Sequence, residues 1–149
     1  MELNDEIRSV LKLKGDNVWS ATPTMSVYDA IATMSERRVG ALPVMQEGEL
    51  VGIISERDYA RRVILKGRSS KDTQVAEIMT SPAIYVNPQA TVEGCMRIMT
   101  VNRVRHLPVV EDGRVVGIIS IGDLVNWIIS AQADAINQLN SYIAGKYPG

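Results

Sequence analysis

Residues 52–59 read GIISERDY, and residues 117–124 read GIISIGDL. Each stretch joins an apolar run to a serine and places an aspartate three residues after that serine. A Ser-x-x-Asp tetrapeptide is a common cap at the start of a helix, so one interpretation is that each copy only begins a helix after a strand. The alternative is that each copy also holds a ligand.

The two stretches are part of a longer internal repeat. A shift of 65 residues aligns 22–59 with 87–124 without a gap, and 15 of these 38 positions carry identical residues. The shared residues include Leu-Pro-Val, a following glycine and Val-Gly-Ile-Ile-Ser. Repetition at a fixed period indicates duplicated structural units, so the chain is predicted to contain two copies of one fold.

Each copy is predicted to form a β-α-β-β-α unit, which gives an α/β fold of the α+β type. Short extended segments are expected at 17–21 and 83–87, followed by helices capped by Ser26 and Thr91. Two apolar runs joined by a glycine-containing turn then predict a β-hairpin, and the second run reads as a buried central strand. Since one unit leaves an apolar sheet face uncovered, the two pseudo-symmetric units are expected to pack through their sheets into one core.

Two helices break the repeat. An N-terminal helix at about residues 3–13 has no counterpart in the second copy, and the last helix is predicted to run from Gly122 to Gly145. An apolar stripe on that long helix extends beyond its own unit. A homodimer contact is the favoured cover for the stripe, and packing back onto the core is the alternative.

These features divide the chain into five segments. The linker between the units begins as a polar stretch and ends in VAEIM, which predicts one short helical turn. The segments are an N-terminal helix, a first unit, a linker, a second unit, and a C-terminal helix extension with a tail, at 1–16, 17–66, 67–80, 81–130 and 131–149.

Composition and charge exclude several classes of protein. The net charge of −1 provides no overall basic field for nucleic acid or anionic membranes. The sequence has neither a secretory signal nor an apolar stretch approaching the ~18 residues of a membrane span. A single cysteine, Cys95, excludes an internal disulfide and favours a place in the core. A cytoplasmic location is therefore expected.

No motif for catalysis is found. The sequence lacks the G-x-x-x-x-G-K-[ST] loop of phosphoryl transfer and the G-x-G-x-x-G fingerprint of dinucleotide binding. One histidine and one cysteine provide no metal-ligand cluster and no convincing nucleophile arrangement. We therefore predict no enzyme, no catalytic residue, no metal and no catalytic cofactor.

The duplicated LPV…G…VGIIS…D pattern closely resembles a tandem pair of CBS domains, the modules named after cystathionine β-synthase. The resemblance extends from about residue 17 to residue 128, with no catalytic domain attached. It implies a stand-alone regulatory module that senses adenosine-containing ligands such as AMP, ADP, ATP, NAD or S-adenosylmethionine. It also implies two clefts between the units and assembly of modules into dimers.

The resemblance gives the Ser-x-x-Asp residues a chemical role. An ionised carboxylate offers two acceptor oxygens to the two adjacent hydroxyls of a ribose, and the start of a helix presents N–H groups to a phosphate. The implied ribose and phosphate contacts are Ser55, Arg57, Asp58, Ser120 and Asp123.

Further ligand contacts are expected on either side of these residues. Arg105 and His106 are candidates for phosphate contacts, whereas the first copy has Gly40 and Ala41 at the matching positions. Two alternatives stay open: His106 as a hydrogen-bonded, partly buried residue, and Arg57, which has Gly122 opposite it, as a solvated helix charge. The expected adenine slot consists of Ser20, Thr22, Ala41, Leu42, Pro43, Thr80, Ala83, Ile84, Leu107 and Pro108.

Three functions follow as hypotheses. The first is a nucleotide sensor in which a ligand shifts the arrangement of the two units and an unidentified partner protein reads the change. The second is a ligand-free scaffold for dimerisation or protein interaction. The third is nucleic-acid binding through a local basic patch, which the net charge of −1 argues against.

Overall fold

The structure, a computed structural model, describes residues 2–15 and 17–143, with side chains up to residue 141. Six α-helices and four strands alternate along these residues, and the third helix continues into a π-helical turn, Ala60–Ile64. The elements are α1 (Ile7–Lys14), α2 (Val27–Arg37), β1 (Ala41–Gln46), β2 (Glu49–Ser55), α3 (Glu56–Tyr59), α4 (Val75–Ile78), α5 (Val92–Asn102), β3 (His106–Glu111), β4 (Arg114–Ser120) and α6 (Ile121–Ile143).

The repeat is visible as two similar units, each with an antiparallel hairpin, β1–β2 or β3–β4. The hairpin turns place two consecutive residues at positive φ, Glu47 (52°) with Gly48 (79°) in the first unit, as a two-residue type I′ turn requires. The capped helices α2 and α5 begin where the sequence predicts, after Ser26 and Thr91. The mixed α/β class and the hairpins are thus confirmed.

The first strand of each unit is shorter than expected. It is reduced to a single parallel bridge, at Ala21 in one unit and Val86 in the other. Each bridge residue exchanges two backbone hydrogen bonds with the hairpin, for example Ala21 N–H to the carbonyl of Pro43 at 3.0 Å. A proline lies two residues after each bridge, and proline has no N–H with which to continue the pairing.

The core also differs from expectation, because the buried side chains form two clusters rather than one shared core. Leu42 and Ile54 lie in the first cluster and Leu107 and Ile119 in the second, all of them with no exposed surface. The second apolar run of each unit is not buried throughout: in β2 and β4, fully buried residues alternate with half-buried ones. The two units meet through contacts between β2 and β4.

The N-terminal helix does have a counterpart, contrary to the sequence interpretation. Ile7 of α1 donates its backbone N–H to the carbonyl of Ala90 at 2.8 Å, and Val75 of α4 donates in the same way to Met25 at 2.8 Å. Met25 and Ala90 are related by the 65-residue repeat. Helix α1 therefore belongs to the core of the second unit, as the linker helix α4 belongs to that of the first.

The last helix, α6, is buried only at its beginning. Leu124 is fully buried, whereas Ile136 and Leu139 are each 57% exposed. Its predicted end at Gly145 and the side chain of Tyr142 lie outside the described residues. Among the helices that the structure describes, none is long and apolar enough to cross a membrane.

Two repeat-related glycines allow close packing, and their replacement by alanine is expected to lower the free energy of unfolding by different amounts. A Cβ at Gly52 would lie 2.8 Å from the carbonyl oxygen of Thr80 and 2.9 Å from the sulfur of Met79, whereas one at Gly117 would meet only Leu11, at 2.5 Å. Gly52→Ala is therefore expected to lower the free energy of unfolding by about 1–3 kcal/mol, because backbone must move. Gly117→Ala should cost less, since the end of a flexible side chain is able to rotate away.

Urea denaturation of the two variants beside the unmodified chain measures this difference. Equal losses, or a larger loss for Gly117→Ala, would contradict the packing described at these glycines.

Candidate functional site: a basic cleft between the two units

A cavity with a volume of about 510 Å³ lies between the two units. Its walls come from the end of β2, from α3 and the π-helical turn, and from the segment that joins α5 to β3. The lining residues are Gly40, Ile53, Ser55, Glu56, Arg57, Asp58, Arg61, Arg62, Thr80, Asn102, Arg103, Val104, Arg105 and His106. The volume lies within the ~300–1,000 Å³ range of small-molecule sites.

Asp58 is held in place by a reciprocal helix cap. The backbone N–H of Asp58 donates to Ser55 Oγ at 3.2 Å, and the backbone N–H of Ser55 donates to Asp58 Oδ2 at 2.9 Å. The Ser55 hydroxyl also donates to Oδ2, at 3.0 Å. The capping interpretation is thus correct, but the cap engages only one oxygen of the carboxylate. Within the described part of the chain, Oδ1 of Asp58 has no hydrogen-bond donor.

Positive charge dominates the rest of the cleft. Five arginines line it, against the carboxylates of Glu56 and Asp58. Because opposite charges attract strongly where water is partly excluded, the cleft suits an anionic ligand. The five are Arg57, Arg61, Arg62, Arg103 and Arg105.

Two of these arginines are anchored to backbone carbonyls, one of them across the cleft. Arg57 donates to the carbonyl of Arg103 at 3.3 Å, which joins the first unit to the second. Arg62 donates to the carbonyl of Ile78 at 2.8 Å. Arg103 ends α5 in the left-handed region, at φ 55°, and this turn carries the chain into the cleft wall. The cations thus come from both units.

Sequence reasoning did not assign Arg61 and Arg62 to the site. The π-helical turn changes which side chains share a face, and no pattern in the sequence indicates that turn. The spacing of Arg57 and Arg61, four residues apart, is the one signal that places both on one side of a helix.

His106 lies at the boundary between the two units. Burial lowers the pKa of its imidazole below the ordinary value, and the positive charges of Lys14 and Arg105 lower it further. The carboxylate of Asp123 acts in the opposite direction. Its ring also lies against Gly40: a Cβ at Gly40 would be 3.0 Å from Nε2. These surroundings therefore favour the neutral imidazole of His106 more than water does.

The lowered pKa of His106 predicts a pH dependence of stability. As the pH falls below the ordinary histidine pKa of about 6.5, the unfolded chain takes up a proton before the folded chain does. The contribution of His106 to the free energy of unfolding is therefore fully present above that pH and is lost as the pH falls through the pKa of the folded state. Thermal unfolding should show a larger loss between about pH 7.5 and pH 5.5 for the unmodified chain than for His106→Gln. Parallel losses in the two proteins would contradict the effect of burial.

The predicted adenine slot is only partly placed at this cavity. Thr80 lines it, and its backbone pairs with that of Ile53 in both directions, at 3.0 and 2.9 Å. Several other residues predicted to form the slot have buried side chains instead, namely Ala41, Leu42, Pro43, Leu107 and Pro108. Ser20, Thr22 and Ile84 are exposed and Ala83 is half-buried, and none of them lines the cavity.

The predicted phosphate and ribose residues fall into two groups. Ser55, Arg57, Asp58, Arg105 and His106 meet in the 510 Å³ cavity, although they come from different units. Ser120 and Asp123 form the same reciprocal cap in the second unit, with distances of 2.8 and 3.1 Å. They lie apart from the cavity, so the two carboxylates do not share one site.

Neither group forms a metal site in the described residues: no three His, Cys, Asp or Glu side chains come together there in a way that could hold an ion. Cys95 is fully buried in the second core, and burial raises its pKa to about 11. A thiol in that state is a poor nucleophile.

Comparison with known proteins is consistent with this geometry. The sequence model of the CBS domain family matches residues 11–65 and 75–130. CBSX3, a mitochondrial CBS domain-containing protein of Arabidopsis thaliana, is 44% identical over 150 residues, covering 95% of this chain and 73% of that protein.

Two solved structures extend the comparison. A CBS-domain protein from Burkholderia ambifaria is 45% identical, with a TM-score of 0.82 and coverage of 86% of this chain and 96% of that one. The CBS domain pair of MJ0100, in complex with 5′-methylthioadenosine and S-adenosyl-L-methionine, is 25% identical, with a TM-score of 0.76 and coverage of 85% and 98%.

Proposed function

Because the chain belongs to the CBS domain family, we propose that it is a regulatory module that binds an adenine nucleotide of the AMP, ATP or NAD type in the cleft between its two units. The observation that carries the proposal is the cavity of about 510 Å³ that joins the capped Asp58 carboxylate to five arginines. A ribose needs hydroxyl acceptors and phosphates need cations, and both lie in this one cleft. The MJ0100 pair, which binds two adenosine-containing molecules, supports the same class of ligand.

The chemistry of the cleft orients such a ligand. Oδ1 of Asp58 accepts from the ribose hydroxyls, because Oδ2 is already engaged with Ser55. The phosphates extend toward Arg105 and His106 of the second unit, which the same cavity contains. The base lies toward Ile53 and Thr80, where backbone groups and an apolar side chain meet. The remaining predicted slot residues would reach a base only after local movement.

Signalling follows from a ligand that bridges two units. The ribose site belongs to the first unit, whereas Arg103 and Arg105 belong to the second, so a nucleotide favours the arrangement in which both contact it. A ligand shifts an equilibrium only by its difference in affinity for two states. The change is read by a partner protein, and the module itself carries out no reaction.

A ligand-free dimerisation scaffold is the second candidate. The observation that favours it is the outer half of α6, where Ile136 and Leu139 are each 57% exposed. A second copy of the chain would cover these side chains in a homodimer.

Cytoplasmic location stays a prediction, since the relative CBSX3 is named as mitochondrial. Nucleic acid is disfavoured as a partner because the net charge is −1.

Thermal unfolding in the presence of AMP, ATP, NAD and S-adenosylmethionine separates the two candidates. At a ligand concentration 100 times the dissociation constant, binding is expected to stabilise the folded chain by about 2.7 kcal/mol. Guanosine phosphates serve as matched anionic controls, since they test whether the base matters. No shift with any adenosine compound would refute the sensor and leave the scaffold.

A further inference from the structure

The aspartate of the second Ser-x-x-Asp site is already paired with a cation of the chain itself. Lys14, at the end of α1, donates from Nζ to Asp123 Oδ2 at 2.7 Å and to the backbone carbonyl of Ile118 at 2.7 Å. Asp123 is the repeat partner of Asp58, and Ile118 is that of Ile53. An ammonium group therefore lies against the carboxylate that, by the repeat, would receive a ribose.

The two units differ because of one extra helical turn. In the first unit, α4 ends at Ile78, and the extended Met79 leads into Thr80, which pairs with Ile53. In the second unit, α1 begins at the equivalent place but continues to Lys14. The added turn replaces the Thr80 bridge with the Lys14 side chain.

The cavities that contain the two aspartates also differ in volume. The cavity that contains Asp58 has a volume of about 510 Å³, whereas the one that contains Asp123 has about 150 Å³, below the ~300 Å³ at which small-molecule sites usually begin, and it lies between α1 and α6 with no residue of the first unit in its lining. The walls of the smaller cavity include Leu13 and Lys14 of α1 and Trp127 of α6. Lys14 therefore lies against Asp123 in the second unit, where the first unit leaves Asp58 open to its cleft.

We propose that Lys14 determines how many nucleotides the chain binds: it occupies the second repeat-related site, so that one nucleotide binds per chain, in the first cleft. This inference rests on the proposed function for the identity of the ligand. It assigns Lys14 as a specificity-determining residue, since its charge and length, rather than a missing Ser-x-x-Asp motif, close the second site.

Titration calorimetry with AMP on the full chain tests the proposal by counting bound molecules. The unmodified chain should bind one AMP, and Asp123→Ala should leave that number unchanged. Lys14→Ala should bind two, and the second should be lost again in Lys14→Ala/Asp123→Ala. Lys12→Ala, an exposed lysine on the same helix, is the matched control and should bind one. Lys14→Gln, which removes the charge and shortens the side chain, replaces Lys14→Ala if that variant does not fold, and should also bind two.

The outcomes separate this inference from the proposed function. Two AMP molecules on the unmodified chain, one of them lost in Asp123→Ala, would overturn the role of Lys14, as would a single AMP on Lys14→Ala. If the unmodified chain binds none but Lys14→Ala binds one through Asp123, the proposed function of the first cleft fails and the role of Lys14 stands. If neither binds AMP, the same titrations are made with ATP and NAD, and both ideas are refuted if neither protein binds any of the three nucleotides.

Discussion

Replacement of Asp58 by alanine is expected to weaken adenine-nucleotide binding by at least about 100-fold, because each of two lost hydrogen bonds to a charged acceptor is worth about 1.5–3 kcal/mol. The reason is that Oδ1 of Asp58 is a carboxylate oxygen in the cleft without a described donor, while Oδ2 maintains the cap with Ser55. The same variant should lose only about 0.5–2 kcal/mol of folding stability, the usual cost of a removed cap. Titration calorimetry and urea denaturation measure the two effects separately.

The repeat provides the control. Asp123→Ala removes the same reciprocal cap from the second unit, with its hydrogen bonds of 2.8 and 3.1 Å. It should cost similar stability and leave the affinity of the first cleft unchanged. If Asp58→Ala binds as tightly as the unmodified chain, or if Asp123→Ala weakens binding as much, the ribose does not lie on Asp58.

Ile7→Ala is expected to have the largest effect on stability, a loss of about 2–5 kcal/mol, because the isoleucine has no exposed surface and its removal leaves a cavity in the second core. Total stabilities of domains are typically about 5–15 kcal/mol, so the loss is a large share of the free energy of unfolding. The measurement is equilibrium unfolding in urea.

Leu13→Ala on the same helix is the matched control. Leu13 is 70% exposed, so its loss should stay within about 0.5 kcal/mol. Similar small effects of both substitutions would mean that α1 is not part of the second core, and would also remove the support on which the position of Lys14 depends.

The features that could be predicted from sequence are those carried by local patterns. The repeat, the hairpins and the helix starts at Ser26 and Thr91 depend on caps, turns and spacing within a few residues, and the structure has them in place. The Ser-x-x-Asp caps are equally local, which is why both could be identified from their letters.

The features that could not be predicted depend on contacts between distant segments. Lys14 and Asp123 are 109 residues apart in sequence, and their pairing requires α1 to cross to the second unit. The place of Arg61 and Arg62 depends on a π-helical turn that no local pattern indicates. The difference between the two Asp sites was expected from Arg57 and Gly122, but its main physical source is the helix that precedes each site.

A crystal structure of the protein grown with AMP tests the central claim most directly. The ribose hydroxyls are expected within about 3 Å of Asp58 Oδ1, with the phosphate among Arg105, His106 and the arginines of the first unit, and with the Lys14–Asp123 pair intact. A nucleotide bound at another place, with the cleft at Asp58 empty, would contradict the claim.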